Sequence, residues 1–265
     1  MTAARGAHEA ERGGTKETMT LLDRLAVFFS NVRRMPARVG AIADALRQPA
    51  ATSPWAVIAP NSELALFKEL SDRALRRTAD IVEREMPEAV IHLDPVGFLR
   101  ACLARAPREG AHCEFGVFSG ATINCLADAR PDVTFDGFDS FRGLPEEWSG
   151  YMPFDFDRGG TLPEVRGNVR LHVGWFDETL PAYANKVERV AFLHIDCDIY
   201  SSTATIFREL GAKLTPGCVI VFDEYFCYPG FERHERLAFR EFLDRTGRTA
   251  RWFACCGQRA ACILE

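Results

Sequence analysis

At 265 residues, 47% hydrophobic and 26% charged, the chain has the composition of a globular protein long enough to bury a sizeable core. Its formal charge of −5 speaks against bulk electrostatic attachment to nucleic acid or anionic lipid, which leaves small-molecule chemistry as the better fit. No stretch is apolar for long enough to span a membrane, and Met1 to Thr20 lacks the apolar centre of a signal peptide.

Residues 1–20 are polar, Gly/Ala-rich and mixed in charge, and read as a disordered tail. From Leu21 to Gln48 apolar residues recur at helical spacing, with a break at Pro36, and residues 49–60 form a Pro/Ala/Ser-rich connector. The spacing predicts further helices over Ser62 to Glu85 and Asp94 to Ala106. Residues 21–90 are therefore expected to be a helical region, acting through Phe28, Phe29 and Trp55 as a lid or as the interface of a homo-oligomer.

From Cys113 onward, short apolar runs alternate with amphipathic helical segments, the pattern of a parallel sheet. Strands are expected near 113–118, 133–138, 169–173, 188–195, 217–222, 249–255 and 260–264. Only a short turn over Gly257 to Arg259 separates the last two, which must then pair antiparallel. The expectation is a Rossmann-like α/β domain over residues 91–265, with a seven-stranded methyltransferase-like sheet, mostly parallel and closed by an antiparallel hairpin. The nine cysteines show neither a C-x-x-C pair nor zinc-site spacing and read as reduced thiols of a cytoplasmic protein.

Several groups fall just beyond predicted strand ends, where open α/β sheets bind ligands. In Cys113-Glu-Phe-Gly-Val-Phe-Ser-Gly-Ala-Thr122, Gly116 and Gly120 allow close backbone approach, and N–H groups of Ser119 to Thr122 open a helix. The spacing is G-x-x-x-G, which weakens a pyrophosphate-binding reading and also fits a plain βα turn. Asp139 can accept the hydroxyls of a ribose, or serve as a turn or cap residue. Trp175 and Phe176, after Gly174, offer faces for an adenine ring or for core packing.

Asp196, Asp223 and Glu224 place three hard oxygen donors within reach of one divalent cation such as Mg²⁺. The plainer readings are a helix cap for Asp196 and Asp198, and solvated loop charge for Asp223 and Glu224. His194, inside an apolar run, reads as a core residue before it reads as a catalyst. His234 faces either substrate or solvent. Arg233, Arg236 and Arg240 either attract an anionic substrate or pair with neighbouring glutamates.

Taken as an ordered set, Glu114-Phe-Gly-Val-Phe-Ser-Gly120, Asp139-Ser-Phe-Arg-Gly-Leu-Pro145, Gly174-Trp-Phe-Asp-Glu-Thr-Leu-Pro181, His194-Ile-Asp-Cys-Asp-Ile-Tyr200, Leu214-Thr-Pro-Gly217 and Asp223-Glu-Tyr225 resemble the macrocin O-methyltransferase family. The resemblance spans about residues 90–265, the length over which a single sheet domain is expected. It implies S-adenosylmethionine as cofactor, Mg²⁺, and a hydroxylated small-molecule acceptor, a sugar of a natural product. It also implies that Glu114, Gly116, Phe118, Ser119, Gly120 and Thr122 hold the methionine end of the cofactor. Asp139 and Ser140 would then hold the ribose, with Gly174, Trp175 and Phe176 near the adenine. Asp196 is implied to face both cofactor and metal, with Asp223 and Glu224 completing the metal site. Glu224 stands where the family often has Asp, a change that keeps the charge and lengthens the arm. Asp196, Asp223 and His234 are the candidates for catalysis, one carboxylate or His234 being the base. A catechol or phenol methyltransferase would use the same machinery. A nucleotide-binding oxidoreductase is disfavoured by the missing G-x-G-x-x-G, and a non-catalytic module by the carboxylates.

Overall fold

The protein is described from a computed structural model, which covers residues 62–148 and 156–265. The expected tail, the helical stretch 21–48 with Phe28 and Phe29, and the connector with Trp55 lie outside the described residues. Helix α1 (Ser62–Glu85) has the bounds its periodicity predicts, and α2 (Pro95–Arg105) starts one residue after its cap. There Asp94 accepts the N–H groups of Val96 and Gly97 at 3.3 and 2.7 Å, with Pro95 at the first helical position.

The strands are β1 (Val90–Ile91), β2 (Ala111–Phe115), β3 (Phe135–Asp139), β4 (Val169–Val173), β5 (Val190–Ile195), β6 (Leu214–Phe222), β7 (Ala250–Cys256) and β8 (Arg259–Leu264). They form one eight-stranded sheet in the order β1-β7-β8-β6-β5-β2-β3-β4. All seven predicted strands are present. The eighth, β1, is a two-residue edge pairing parallel to β7, too short to leave a period in the sequence. Strand β2 ends before Gly116, whose φ of +93° turns the chain out of the sheet. The closing hairpin β7–β8 is antiparallel as expected, and β8 also pairs antiparallel with β6.

Between the strands run α3 (Ala121–Ala129), α4 (Phe176–Ala184), α5 (Tyr200–Leu210) and α6 (Glu235–Thr246). Alternation along β5 and β6 divides the core between the two faces of the sheet. Leu193, Ile195, Ile220 and Phe222 pack with Phe207 of α5, Phe239 of α6 and Ala74 of α1. Phe192, Val219 and Val221 pack with Phe98 of α2 and Ile123 of α3. Helix α1 is also tied to the chain after β6: Cys227 N–H donates to Thr78 Oγ1 at 3.0 Å, and Arg236 donates to both oxygens of Glu85 at 2.9 and 3.0 Å. Arg236, expected to attract substrate or pair locally, is thereby committed to α1 and to the Tyr225 hydroxyl. The nine cysteines are free thiols. No helix among the described residues is long and apolar enough to cross a membrane.

Candidate active site

The chain runs outward through β2, β3 and β4, then returns to lay β5 beside β2, so the order of the sheet reverses between them. A crevice at the carboxyl ends of strands follows from such a reversal. Here it is a cleft of about 1210 Å³, walled by the turn after β2, the loops after β3 and β4, and the acidic loops after β5 and β6.

The turn after β2 is shaped by a close approach. A Cβ on Gly116 would stand 1.7 Å from the backbone oxygen of Asp196, so the glycine turn and the first acidic loop touch through bare backbone. Asp139 fastens this turn. Its carboxylate accepts the N–H groups of Val117 at 2.9 Å, Phe118 at 2.7 Å and Phe141 at 2.7 Å. With about four lone-pair directions on a carboxylate, most of its accepting capacity is used by the turn itself. Gly116, Phe118, Ser119, Thr122, Asp139, Ser140, Gly174, Trp175 and Phe176 all line the cleft. Phe176 also packs edge-on against Phe115 at 5.5 Å, so it belongs to the core as well as to the wall.

Glu114 and Gly120 are not among the lining residues. Gly120 begins α3 at φ +79°, next to lining residues on both sides. Glu114 is buried in mid-strand, accepting from Thr122 Oγ1 at 2.9 Å and facing His194 Nδ1 at 2.9 Å. The other ring nitrogen of His194 faces Asp223 at 3.7 Å. Burial opposes a charge on this imidazole, but the Asp223 and Glu114 carboxylates outweigh it and lift its pKa to about 10. His194 is thus a core residue, as its apolar run suggested, and it lies directly beneath the acidic loops.

Asp196, Asp223 and Glu224 all face the cleft, and Asp198 joins them. The acidic groups fall into two overlapping sets, His194 with Asp196 and Asp223, and Asp196 with Asp198 and Glu224; within each, ligand atoms lie within 4.8 Å of one another. Neither Asp196 nor Asp198 caps the next helix, whose cap residue is Ile199 with no side-chain bond. They stand two residues apart in the loop after β5, where Asp198 takes φ +66°, and both side chains line the cleft. Behind them Glu235, fully buried at the start of α6, accepts the Glu224 N–H at 3.2 Å. Arg259 grips Asp223 with two bonds, Nε to Oδ1 at 2.5 Å and Nη2 to Oδ2 at 2.8 Å.

The charges do not balance. Among the described residues, ion pairs in this cluster end on Glu114 or Asp223. Burial favours a neutral Asp223, yet His194 and Arg259 hold its pKa down to about 2. Burial, then repulsion from Asp223, drives Asp196 well up and Asp198 to about 7. Glu224 is raised by burial and by Asp223 and Asp198, and its Oε2 is buried without a partner. Such a set is suited to protons or to a hard cation. His234 is not among the lining residues; it caps α6 beside Tyr228, with ring centroids 6.2 Å apart, and burial, reinforced by Arg233, lowers its pKa.

Residues 155–247 match the macrocin-O-methyltransferase (TylF) family model. The chain is 34% identical over 179 residues to the mycinamicin III 3''-O-methyltransferase of Micromonospora griseorubida, covering 56% of this chain and 67% of that protein. It is 31% identical over 106 residues to the 8-demethyl-8-(2,3-dimethoxy-alpha-L-rhamnosyl)-tetracenomycin-C 4'-O-methyltransferase of Streptomyces olivaceus, a match covering 33% of this chain and 40% of that one. In fold it is similar to the calicheamicin methyltransferase CalS11, with a TM-score of 0.50 and 20% identity over 82% of this chain and 96% of that one. The motifs bordering the cleft, the family match and the extent of the first relative agree: the chain belongs to the macrocin O-methyltransferase family and is an O-methyltransferase.

Proposed function

We propose that this enzyme transfers a methyl group from S-adenosylmethionine to a hydroxyl of a sugar, free or on a glycosylated natural product, with a divalent cation such as Mg²⁺ in the acidic cluster. One observation carries the reading: the Gly116 turn and the Asp196 loop meet backbone to backbone, so a cofactor cradle and an anionic cluster share one wall of one cleft. The residues fit both groups. The first has backbone N–H groups at the start of α3 and aromatic walls; the second has carboxylate oxygens facing the cleft, one of them buried without a partner, with the His194 ring beneath them.

When bound, the cofactor supplies an electrophilic methyl on a sulfonium, and the cation supplies local positive charge for orienting an oxygen acceptor. The chain's own part is alignment and proton removal. The turn from Gly116 to Thr122 would seat the amino-acid end, Asp139 and Ser140 the ribose, and Trp175 with Phe176 the base. The hydroxyl proton would pass to a carboxylate of the cluster, whose members line the cleft, whereas His234 does not.

Isothermal titration with S-adenosylhomocysteine, with and without Mg²⁺, tests the reading. Micromolar binding followed by methylation of a glycoside or nucleotide sugar supports it. No binding in either condition would remove the cofactor and the reading with it. Methylation of catechols alone would move the acceptor to the phenolic class.

A further inference from the structure

The acidic pair after β6 opens a loop whose first amides are held by the turn between β7 and β8. Tyr225 and Phe226 both donate to the Gln258 carbonyl, at 2.9 and 3.2 Å. The next amide is held from elsewhere. Cys227 N–H donates to Thr78 Oγ1 of α1 at 3.0 Å, while the Thr78 hydroxyl gives its own proton to the Ala74 carbonyl at 2.9 Å. Thr78 is buried, so water has little access to this contact. Cys227 itself sits at φ +69°, a conformation uncommon outside glycine, and such a residue keeps its place only where its surroundings fix it. Arg77, beside Thr78, also reaches this loop, donating to Glu232 at 2.5 Å, but both partners of that pair are exposed and such pairs hold weakly. The buried Thr78 contact is the one that fixes the turn.

What the turn presents is an aromatic ring. Tyr228 follows Cys227 directly, and its ring stands edge-on to Trp148, with centroids 5.8 Å apart and planes at 70°. Both side chains are buried, yet Trp148 lines the cleft. Burial raises the pKa of the Tyr228 hydroxyl, and Glu235, Glu224 and Asp198 raise it further, so this ring lies beside the acidic cluster. Trp148 is therefore a piece of cleft wall carried by the loop after β3 and backed by the loop after β6. The cofactor reading leaves this ring unused, and an aromatic face of that kind suits the apolar C–H face of a sugar.

Resting on the sugar-methylating reading above, we propose that Thr78 is a positioning residue for the acceptor: it holds the Cys227 turn, the turn seats Tyr228, and Tyr228 backs Trp148 as the wall against which the acceptor ring lies. The acidic pair is anchored separately, through the Gln258 carbonyl and through Glu235, so loss of the Thr78 hydroxyl disturbs the wall and leaves the cofactor cradle as it is.

Steady-state kinetics of the full chain test this, with methyl and aryl glycosides of hexoses and 6-deoxyhexoses and the corresponding nucleoside diphosphate sugars as acceptors. For whichever of these is methylated, Thr78→Val is expected to raise KM at least about tenfold, with kcat and the dissociation constant of S-adenosylhomocysteine within about threefold of the unaltered protein. Thr78→Ser, which keeps the hydroxyl, should restore the KM. A KM indifferent to Thr78→Val overturns the proposal alone. So does a parallel loss of S-adenosylhomocysteine affinity, which would make the hydroxyl a support of the whole fold. If Thr78→Val does not fold, Trp148→Leu is read in the same way: a raised acceptor KM with unaltered S-adenosylhomocysteine affinity supports the proposal, and an unchanged KM overturns it. Unaltered protein that binds S-adenosylhomocysteine but methylates none of these sugars overturns the sugar reading and the proposal with it.

Discussion

The glycine turn after β2 and the acidic loops after β5 and β6 touch, yet they are held by opposite means. The turn is built from backbone: a residue with no side chain, and N–H groups satisfied by Asp139 at 2.7 to 2.9 Å. The acidic loops are built from charge, with Asp196, Asp198 and Glu224 raised in pKa by burial and by one another's neighbours. The first arrangement is satisfied as it stands. The second is not, and a group left unsatisfied in a cleft is where binding energy remains to be gained. The contrast implies that the two walls will break differently: the turn by adding volume, the acidic loops by changing charge.

The largest effect is expected at the contact itself. Gly116→Ala would set a methyl 1.7 Å from the Asp196 backbone oxygen and place an L residue at φ +93°. Backbone must move on both loops, so a loss of about 4 kcal/mol or more is expected. Chemical denaturation measures it. A loss under about 1 kcal/mol would mean that the two loops separate easily, and the shared wall would lose its meaning.

The acidic wall should instead show itself in pH. Burial lifts Asp198 from the ordinary carboxylate value of 3.8 to about 7, so the folded protein holds a proton that the unfolded chain releases near pH 4. Stability therefore falls as pH rises through the interval from about 4 to 7, and raised values at Asp196, Glu224 and Glu235 act in the same direction. Asp223, held near 2, adds stability that is lost only as the pH falls below about 4 toward 2, and His194, lifted from 6.5 to about 10, contributes in full below about 6.5 and loses that contribution progressively as the pH rises toward 10. Melting in EDTA should be lower at pH 8 than at pH 5 by at least about 1 kcal/mol, roughly 2–4 °C. Mg²⁺ should flatten the difference. A profile already flat in EDTA would show that the cluster is compensated from within.

A smaller change sharpens the same point. Glu224→Gln keeps the shape and removes one uncompensated charge, so metal-free protein at pH 8 should gain up to about 1 kcal/mol while turnover falls steeply. Stability and rate moving together, both downward, would assign Glu224 a structural role.

Much of this was legible in the chain before the structure, and for a physical reason. Apolar β-branched runs mark strands buried on both faces, and Asp196, Asp223 and Glu224 announce themselves by following such runs directly. What was hidden depends on partners distant in sequence. Arg259 looks like a turn residue until the β6–β8 register sets it against Asp223, and Asp198 looks like a cap until the next helix is found to start without one. Glu114 falls within a glycine motif and reads as a cofactor residue, but strand alternation sends its carboxyl into the core to meet His194.

That buried carboxyl is also what joins the two walls. Thr122 of the turn donates to Glu114 Oε1 at 2.9 Å, Glu114 Oε2 meets His194, and His194 faces Asp223. Thr122→Val deletes the first link with little change in shape and should cost about 1 kcal/mol. Whether the cost stays local decides how the walls communicate. If they act as one network, the cost of Thr122→Val will change by at least about 0.5 kcal/mol when Asp223 is also replaced, in a cycle measured by chemical denaturation. Strict additivity would mean that Glu114 screens each wall from the other, leaving cofactor cradle and acidic cluster energetically independent although their backbones touch.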